Sequence, residues 1–62
     1  MKKELKIWYV ITDINGDYWC ESWKDFKGPL YMTKYTSCEN AQQAIETFNF
    51  NGLYQINKYF EL

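Results

Sequence analysis

The sequence predicts a small α+β fold: an antiparallel-rich sheet of three to four strands in ββ(β)αβ order, with one helix packed on one face. Three features carry this prediction. Two runs of β-branched and aromatic residues flank an Asn15-Gly16 pair, a capped stretch in the second half repeats apolar residues at helical spacing, and an aromatic run closes the chain. At 62 residues the whole chain, 1–62, reads as one domain without linker, repeat or low-complexity segment. A chain this short buries only roughly 60% of the surface its unfolded form exposes, so dense aromatic packing or a partner must compensate for a thin core. Aromatic residues make up 21% of the chain, more rings than such a core hides.

Leu5 to Asp13 reads as the first strand. Ile14-Asn15-Gly16-Asp17 then supplies the pair that a two-residue type I′ hairpin demands, with positive φ at both central positions. Tyr18 to Trp23 is the returning strand. Lys24 to Pro29 holds the Gly28-Pro29 breaker and reads as a loop, after which Leu30 to Tyr35 forms a short third strand. Thr36-Ser37-Cys38-Glu39 matches a capping box in which Thr36 accepts from the backbone N–H of Glu39. Behind it Ala41, Ala44, Ile45 and Phe48 form one buried stripe, with Gln42, Gln43 and Glu46 left to water. The helix is expected to stop near Asn49, because Asn51-Gly52 offers the left-handed residue of a C-terminal cap. Leu53 to Phe60 is the last strand, and a right-handed crossover through the helix lets it lie parallel to the first in sheet order 3-2-1-4.

A two-residue turn sets the hairpin register: Ile14 opposite Asp17, Thr12 opposite Trp19, Val10 opposite Glu21, Trp8 opposite Trp23. Opposed residues share a face. Trp8, Trp19 and Trp23 therefore fall on one side with Val10, Thr12 and Ile14, interrupted by Lys6 and Glu21. The other side carries Ile7, Tyr9, Ile11, Cys20 and Ser22, and suits the helix stripe, with Tyr54, Ile56 and Phe60 completing that core. A single helix covers one face only. Either the segment from Lys24 to Tyr35 folds over the tryptophan face, with Phe26, Leu30 and Tyr31 as cover, or that face is an exposed apolar patch of the kind that marks an interaction site. The candidate partner-binding residues are Trp8, Trp19, Glu21, Trp23 and Lys6.

The charge pattern narrows the partners. Net charge is −1, with 7 basic residues, all lysine, 8 acidic residues and no histidine. Nucleic-acid capture needs a concentrated basic surface, and the bidentate arginine fork that reads phosphate and guanine is missing. No run approaches the roughly 18 apolar residues of a membrane span. Met1-Lys2-Lys3-Glu4 leads straight into a strand-like segment instead of a signal-peptide core, which points to the cytoplasm and reduced thiols.

Catalytic chemistry finds no constellation. Asp13-Ile14-Asn15-Gly16-Asp17 imitates the opening of a calcium loop, but Tyr18 stands where that loop needs glycine and Lys24 where it needs glutamate, so no metal site is expected. Cys20 and Cys38 have no histidine to activate them and are expected to be small buried hydrophobes, with a Cys20–Cys38 disulfide as the alternative. Asp13, Asp17, Glu21 and Asp25 fall on a turn, a strand and a loop, so they do not converge. No glycine-rich phosphate loop is present, and no cofactor is expected.

In its Asn-Gly hairpin, aromatic strands, single capped helix and closing strand, the chain resembles small accessory proteins encoded by phages of low-GC bacteria. The likeness is one of size and layout, seen in segments such as Ile7-Trp8-Tyr9-Val10-Ile11-Thr12-Asp13 and Ser37-Cys38-Glu39-Asn40-Ala41. It implies a non-enzymatic inhibitor that binds a host or defence protein in the bacterial cytoplasm. Two classes of function are thus in view. The first is a protein-interaction module, with another protein or a second copy of itself as partner and tryptophans as anchors. The second is a small-ligand, nucleotide or single-strand binder in which the same rings stack on bases, with Lys6, Lys24 and Lys58 supplying charge.

Overall fold

The structure, a computed structural model, describes residues 4–50 and 52–62. It is a four-stranded antiparallel sheet with one helix on one face. Strand β1 spans Lys6–Asp13, β2 Tyr18–Cys20 and β3 Asp25–Lys27. A 3-10 turn covers Pro29–Tyr31, helix α1 covers Cys38–Phe48, and strand β4 covers Tyr54–Glu61. Asn51 and residues 1–3 lie outside the described residues, so neither the Asn51 part of the expected helix cap nor the expected amino-terminal lead-in is placed.

The β1–β2 turn is longer by one residue than the type I′ hairpin expected from Asn15-Gly16. Gly16 N donates to Asp13 O at 3.1 Å, Asp13 N donates to Asp17 O at 3.0 Å, and Thr12 stands opposite Tyr18. Gly16 has φ +84, while Asn15 is not among the residues of positive φ. This is a three-residue loop, a type I turn closed by a left-handed glycine. Asp13 selects it. Its carboxylate Oδ1 accepts from the backbone N–H of Asn15 at 3.0 Å and of Asp17 at 2.9 Å, a local bonding pattern through which Asp nucleates turns.

The extra residue moves the whole second strand by one position, and a one-residue slip turns every side chain to the opposite face. Trp19 consequently lies on the helix side with Tyr9 and Ile11, and Phe26 opposite it shares that side. Tyr18 and Cys20 lie on the other side with Trp8, Val10 and Thr12. The expected grouping of three tryptophans on one face is overturned, as is the placing of Cys20 under the helix.

The returning strand also ends early. Trp23 N donates to Cys20 O and Lys24 N to Glu21 O, at 3.1 and 3.2 Å, and Lys24 adopts φ 50. This tight turn sends the chain back as β3 within the segment read as a loop. The expected third strand, Leu30 to Tyr35, is replaced by the 3-10 turn and an extended stretch, because Pro29 lacks a donor for a ladder and suits the first position of a helical turn. That stretch takes the place beside β1 that the short β2 leaves open. Tyr9 and Tyr35 exchange two backbone hydrogen bonds of 2.8 Å, and Thr33 N donates to Trp19 O at 3.0 Å.

Ser37, not Thr36, caps α1: its hydroxyl accepts from Asn40 N at 3.0 Å, while Thr36 Oγ1 takes the Asn40 side-chain amide at 2.9 Å. The helix closes on Asn49 in the left-handed region at φ 53, with its N–H on Ile45 O. Eleven helical residues advance about 16 Å. The chain enters the helix beside Tyr9 and is delivered by it to the Asp13 end of β1. β4 therefore starts opposite Asp13 and runs antiparallel to β1, from Asp13↔Tyr54 to Lys6↔Glu61. The order β3-β2-β1-β4 has the expected numbering, but its edge strand is Asp25–Lys27 and not the expected Leu30 to Tyr35, and the last strand is antiparallel to the first where a parallel direction was expected.

The core unites Ile11, Trp19, Ala41, Ala44 and Ile45 with the half-buried Tyr9, Phe26, Tyr35, Phe48, Phe50 and Ile56. Trp19 is its hub, with ring centroids 4.4 Å from Phe50, 5.2 Å from Phe48 and 5.3 Å from Phe26. The helix stripe packs as its spacing predicts. Ile7, Tyr54 and Phe60, expected in that core, are instead exposed, because β1 and β4, eight residues each, outrun the helix. The molecule is correspondingly long, 44 × 22 × 19 Å.

Two outcomes follow from this geometry. Gly16→Val is expected to cost about 1–3 kcal/mol, the usual strain of a side chain held at positive φ, because a Cβ there meets nothing and only the backbone resists. Asn15→Ala should stay within about 0.5 kcal/mol, whereas a type I′ turn would penalise both; urea melts of the pair separate the two turns. Trp19→Ala should cost about 3–5 kcal/mol, and a native-like urea midpoint for that variant would place the indole outside the core.

Candidate interaction surface

The structure distributes the five candidate residues instead of gathering them. Trp19 is 4% exposed, on the helix side. Its indole N–H is buried and finds no hydrogen-bond acceptor among the described residues, an omission that costs about 1–3 kcal/mol by general experience. It belongs to the core, not to a partner surface.

Trp8 lies half-buried on the face away from the helix and is committed internally, its Nε1–H donating to Glu61 Oε1 at 2.8 Å. The other oxygen of that carboxylate takes Lys34 Nζ at 2.7 Å, and the same ammonium sits 5.3 Å above the Tyr59 ring. This network fastens the segment after the 3-10 turn across β1 and β4. The Lys34 and Trp8 hydrogen bonds hold the Glu61 carboxyl below the ordinary carboxylate range. Lys6 is exposed at the start of β1, paired in register with Glu61.

Glu21 sits in the β2–β3 turn and anchors the same segment from the other side. Its N–H donates to Thr33 Oγ1 at 2.8 Å, and its carboxylate accepts from the Tyr35 hydroxyl at 3.0 Å. Burial, then the bond to Glu21 and its charge, push the Tyr35 phenol well above its usual range; the Trp19 indole acts in the opposite direction, without reaching hydrogen-bond geometry. Tyr35 and Glu21 border a shallow groove along the helix with Asn40, Gln43, Thr47 and Phe48.

Of the two alternatives for the face away from the helix, the covered one holds at its centre. Val10 and Cys20 are buried on it, and the 3-10 turn packs against β2. Phe26, expected as cover, points to the helix side, while Leu30 and Tyr31 remain exposed. Of the three tryptophans Trp23 alone stays largely in solvent, at 59%. It stands in the β2–β3 turn with Lys27 Nζ 5.1 Å from its ring centroid and Tyr31 edge-on at 6.1 Å. These residues make an exposed aromatic cluster at the β3 end of the sheet, and Leu30, next to Tyr31 in the chain, is 91% exposed. Lys27 escaped the sequence reading; its only signal there was its place four residues after Trp23, across a segment read as a loop.

Cys20 and Cys38 are both free thiols, not a disulfide; Cys20 is buried as expected, whereas Cys38, also expected to be buried, is exposed in the first turn of α1. Cys20 Sγ donates to Tyr18 O at 3.3 Å, and burial pushes its thiol upward, away from the nucleophilic thiolate. Among the described residues no group of three or more His, Cys, Asp or Glu side chains lies together, and no helix is long and apolar enough to cross a membrane. Comparison of the chain with protein-family models, curated proteins and solved structures finds no match.

The Glu61 network has a pH signature. A carboxyl whose folded pKa is lowered adds stability that is present above its unfolded value, about 4.3, and is lost as pH falls through the lowered folded value. Glu61→Gln is therefore expected to reduce the urea midpoint at neutral pH and to flatten its decline in acid. Equal acid slopes for the variant and the parent would show that Glu61 is not linked to folding.

Proposed function

We propose that this chain is a non-enzymatic protein-interaction module that grips another protein through Trp23, Tyr31 and Leu30, with Lys27 at the rim. The exposure of Trp23 in an ordered setting carries this reading. Trp and Tyr dominate interface hot spots because each removes much apolar area from water at little rotamer cost, and here Tyr31 lies edge-on to the Trp23 ring and Lys27 over it. A partner with an apolar pocket and a carboxylate at its rim suits the patch, since Lys27 Nζ lies over the Trp23 ring. The likeness in size and layout to phage accessory proteins supports a bacterial host or defence protein as the partner and the bacterial cytoplasm as the place of action. Single-strand binders stack successive bases on several ring faces along a basic groove. Here one indole is open and a lysine occupies part of its face, which favours the protein reading over a nucleotide or single-strand ligand.

Trp23→Ala and Tyr31→Ala should each weaken capture of the partner by about 2 kcal/mol, the scale of a hot spot. Both variants should keep the parent urea midpoint within about 1 kcal/mol, as surface changes usually do. Affinity capture from a bacterial lysate with the parent and the two variants side by side measures this. Capture that is indifferent to both substitutions, or Trp23 fluorescence quenched by oligonucleotide with no protein captured, would defeat the proposal.

A further inference from the structure

We propose that the outer edge of β4 pairs with the same strand of a second copy, antiparallel about a two-fold axis at Asn57, joining two four-stranded sheets into one. This surface lies at the opposite edge of the sheet from Trp23 and is independent of the proposed partner site.

The backbone of β4 is arranged for such pairing. In β1, Tyr9 exchanges both of its backbone hydrogen bonds with Tyr35, and Asp13 N bonds to Asp17 O, so these residues face away from β4. Peptide groups alternate sides along a strand. Trp8, Val10 and Thr12 therefore face β4, and their partners Tyr59, Asn57 and Gln55 face back. Tyr54, Ile56, Lys58 and Phe60 are left presenting N–H and C=O outward, where no described strand meets them. Such an edge is a template for another strand unless proline, a bulge, brevity or charge blunts it. β4 has eight residues in unbroken register, no proline and no bulge, and Lys58 is the only charged residue among the four that face outward.

The side chains select a second copy and its register. A two-fold axis must set outward-facing residues against outward-facing residues on the same face of the sheet. Centred on Lys58, the axis places two ammonium groups directly opposite, which is unfavourable. Centred on Asn57, it places Tyr54 opposite Phe60 of the second copy twice over, and the Lys58 stem opposite Ile56. Tyr54 and Phe60 are 42% and 56% exposed in the single chain, and aromatic cross-strand pairs are among the stabilising ones. The exposed Ile7, beside Phe60 in register, extends the apolar surface where the helix does not reach. A net charge of −1 per copy adds little repulsion.

Sedimentation equilibrium of the full chain from micromolar to millimolar concentration is expected to show a monomer–dimer equilibrium. Phe60→Lys should raise its dissociation constant about tenfold or more, the loss of one aromatic pair from each half, and adding Tyr54→Glu to that variant should restore most of the affinity by pairing opposite charges. In a Cys38→Ser background, Asn57→Cys should oxidise to a covalent dimer faster than Lys58→Cys, since non-hydrogen-bonded opposed residues bring their Cβ atoms within disulfide reach. A chain that stays monomeric at millimolar concentration overturns the proposal, as does a dimer indifferent to Phe60→Lys, or faster cross-linking through Lys58→Cys. Far-ultraviolet circular dichroism of each variant keeps loss of fold apart from loss of pairing.

Discussion

The Asp13 carboxylate and the left-handed Gly16 together set the register on which the rest of this molecule depends. Two backbone donors converge on one oxygen of Asp13 and hold the hairpin loop at three residues. A strand has a side-chain period of two, so this single extra residue decides which face each residue of β2 occupies. Trp19 goes inward, Cys20 goes to the other side, and the chain gains the large apolar group around which a thin core can close.

That core is built from rings because little else is available. A short chain cannot bury much surface, and the residues fully withdrawn from water around Trp19 are chiefly Ile11, Ala41, Ala44 and Ile45. Phe48 and Phe50 bracket the indole from the helix end and Phe26 from β3. The two alanines let the helix lie close to the sheet, and an indole N–H without an acceptor among the described residues accompanies the seating of so wide a ring there. On the opposite face the strategy differs. Val10 and Cys20 are buried on the side where the 3-10 turn packs against β2, and the extended stretch after that turn is tied down at Tyr9, Glu21, Trp19 and Glu61. Short β2 makes room for it: where the strand leaves β1, the stretch ending at Tyr35 takes up the vacated backbone groups, as buried donors and acceptors require.

The tryptophans thus divide their labour. Trp19 holds the core, Trp8 fastens β1 to the end of β4 through Glu61, and Trp23 is left to solvent at the tip of the β2–β3 turn. The exposed ring has Lys27 over its face and Tyr31 edge-on to it. The long ribbon of β1 and β4 leaves a second surface at the other edge, where backbone groups and aromatic side chains are presented together. The two proposed contacts occupy opposite ends of the sheet, so self-pairing through β4 would set two Trp23 patches far apart on one assembly.

Local chemistry made several elements legible from the residues alone. The helix followed from the spacing of Ala41, Ala44, Ile45 and Phe48, and its start from a hydroxyl just ahead of them, although the backbone chose Ser37 over Thr36. β1, β4 and the antiparallel-rich α+β class followed from residue type and periodicity, whereas the third strand lies in a segment that reads as a loop and the last strand runs opposite to the expected direction. Loop length did not follow, because Asn15-Gly16 suits a two-residue turn, and the two bonds to the Asp13 carboxylate that hold the loop at three residues are seen only in the folded chain. β3 and the 3-10 turn were hidden because three-residue elements carry too little periodicity to be seen. The direction of β4 was set by where an eleven-residue helix delivers the chain. Of the candidate site, the sequence determined that tryptophan would be abundant near the hairpin; tertiary structure decided that Trp23 faces water, because register, helix length and the covering segment are properties of the packed whole and not of any local stretch.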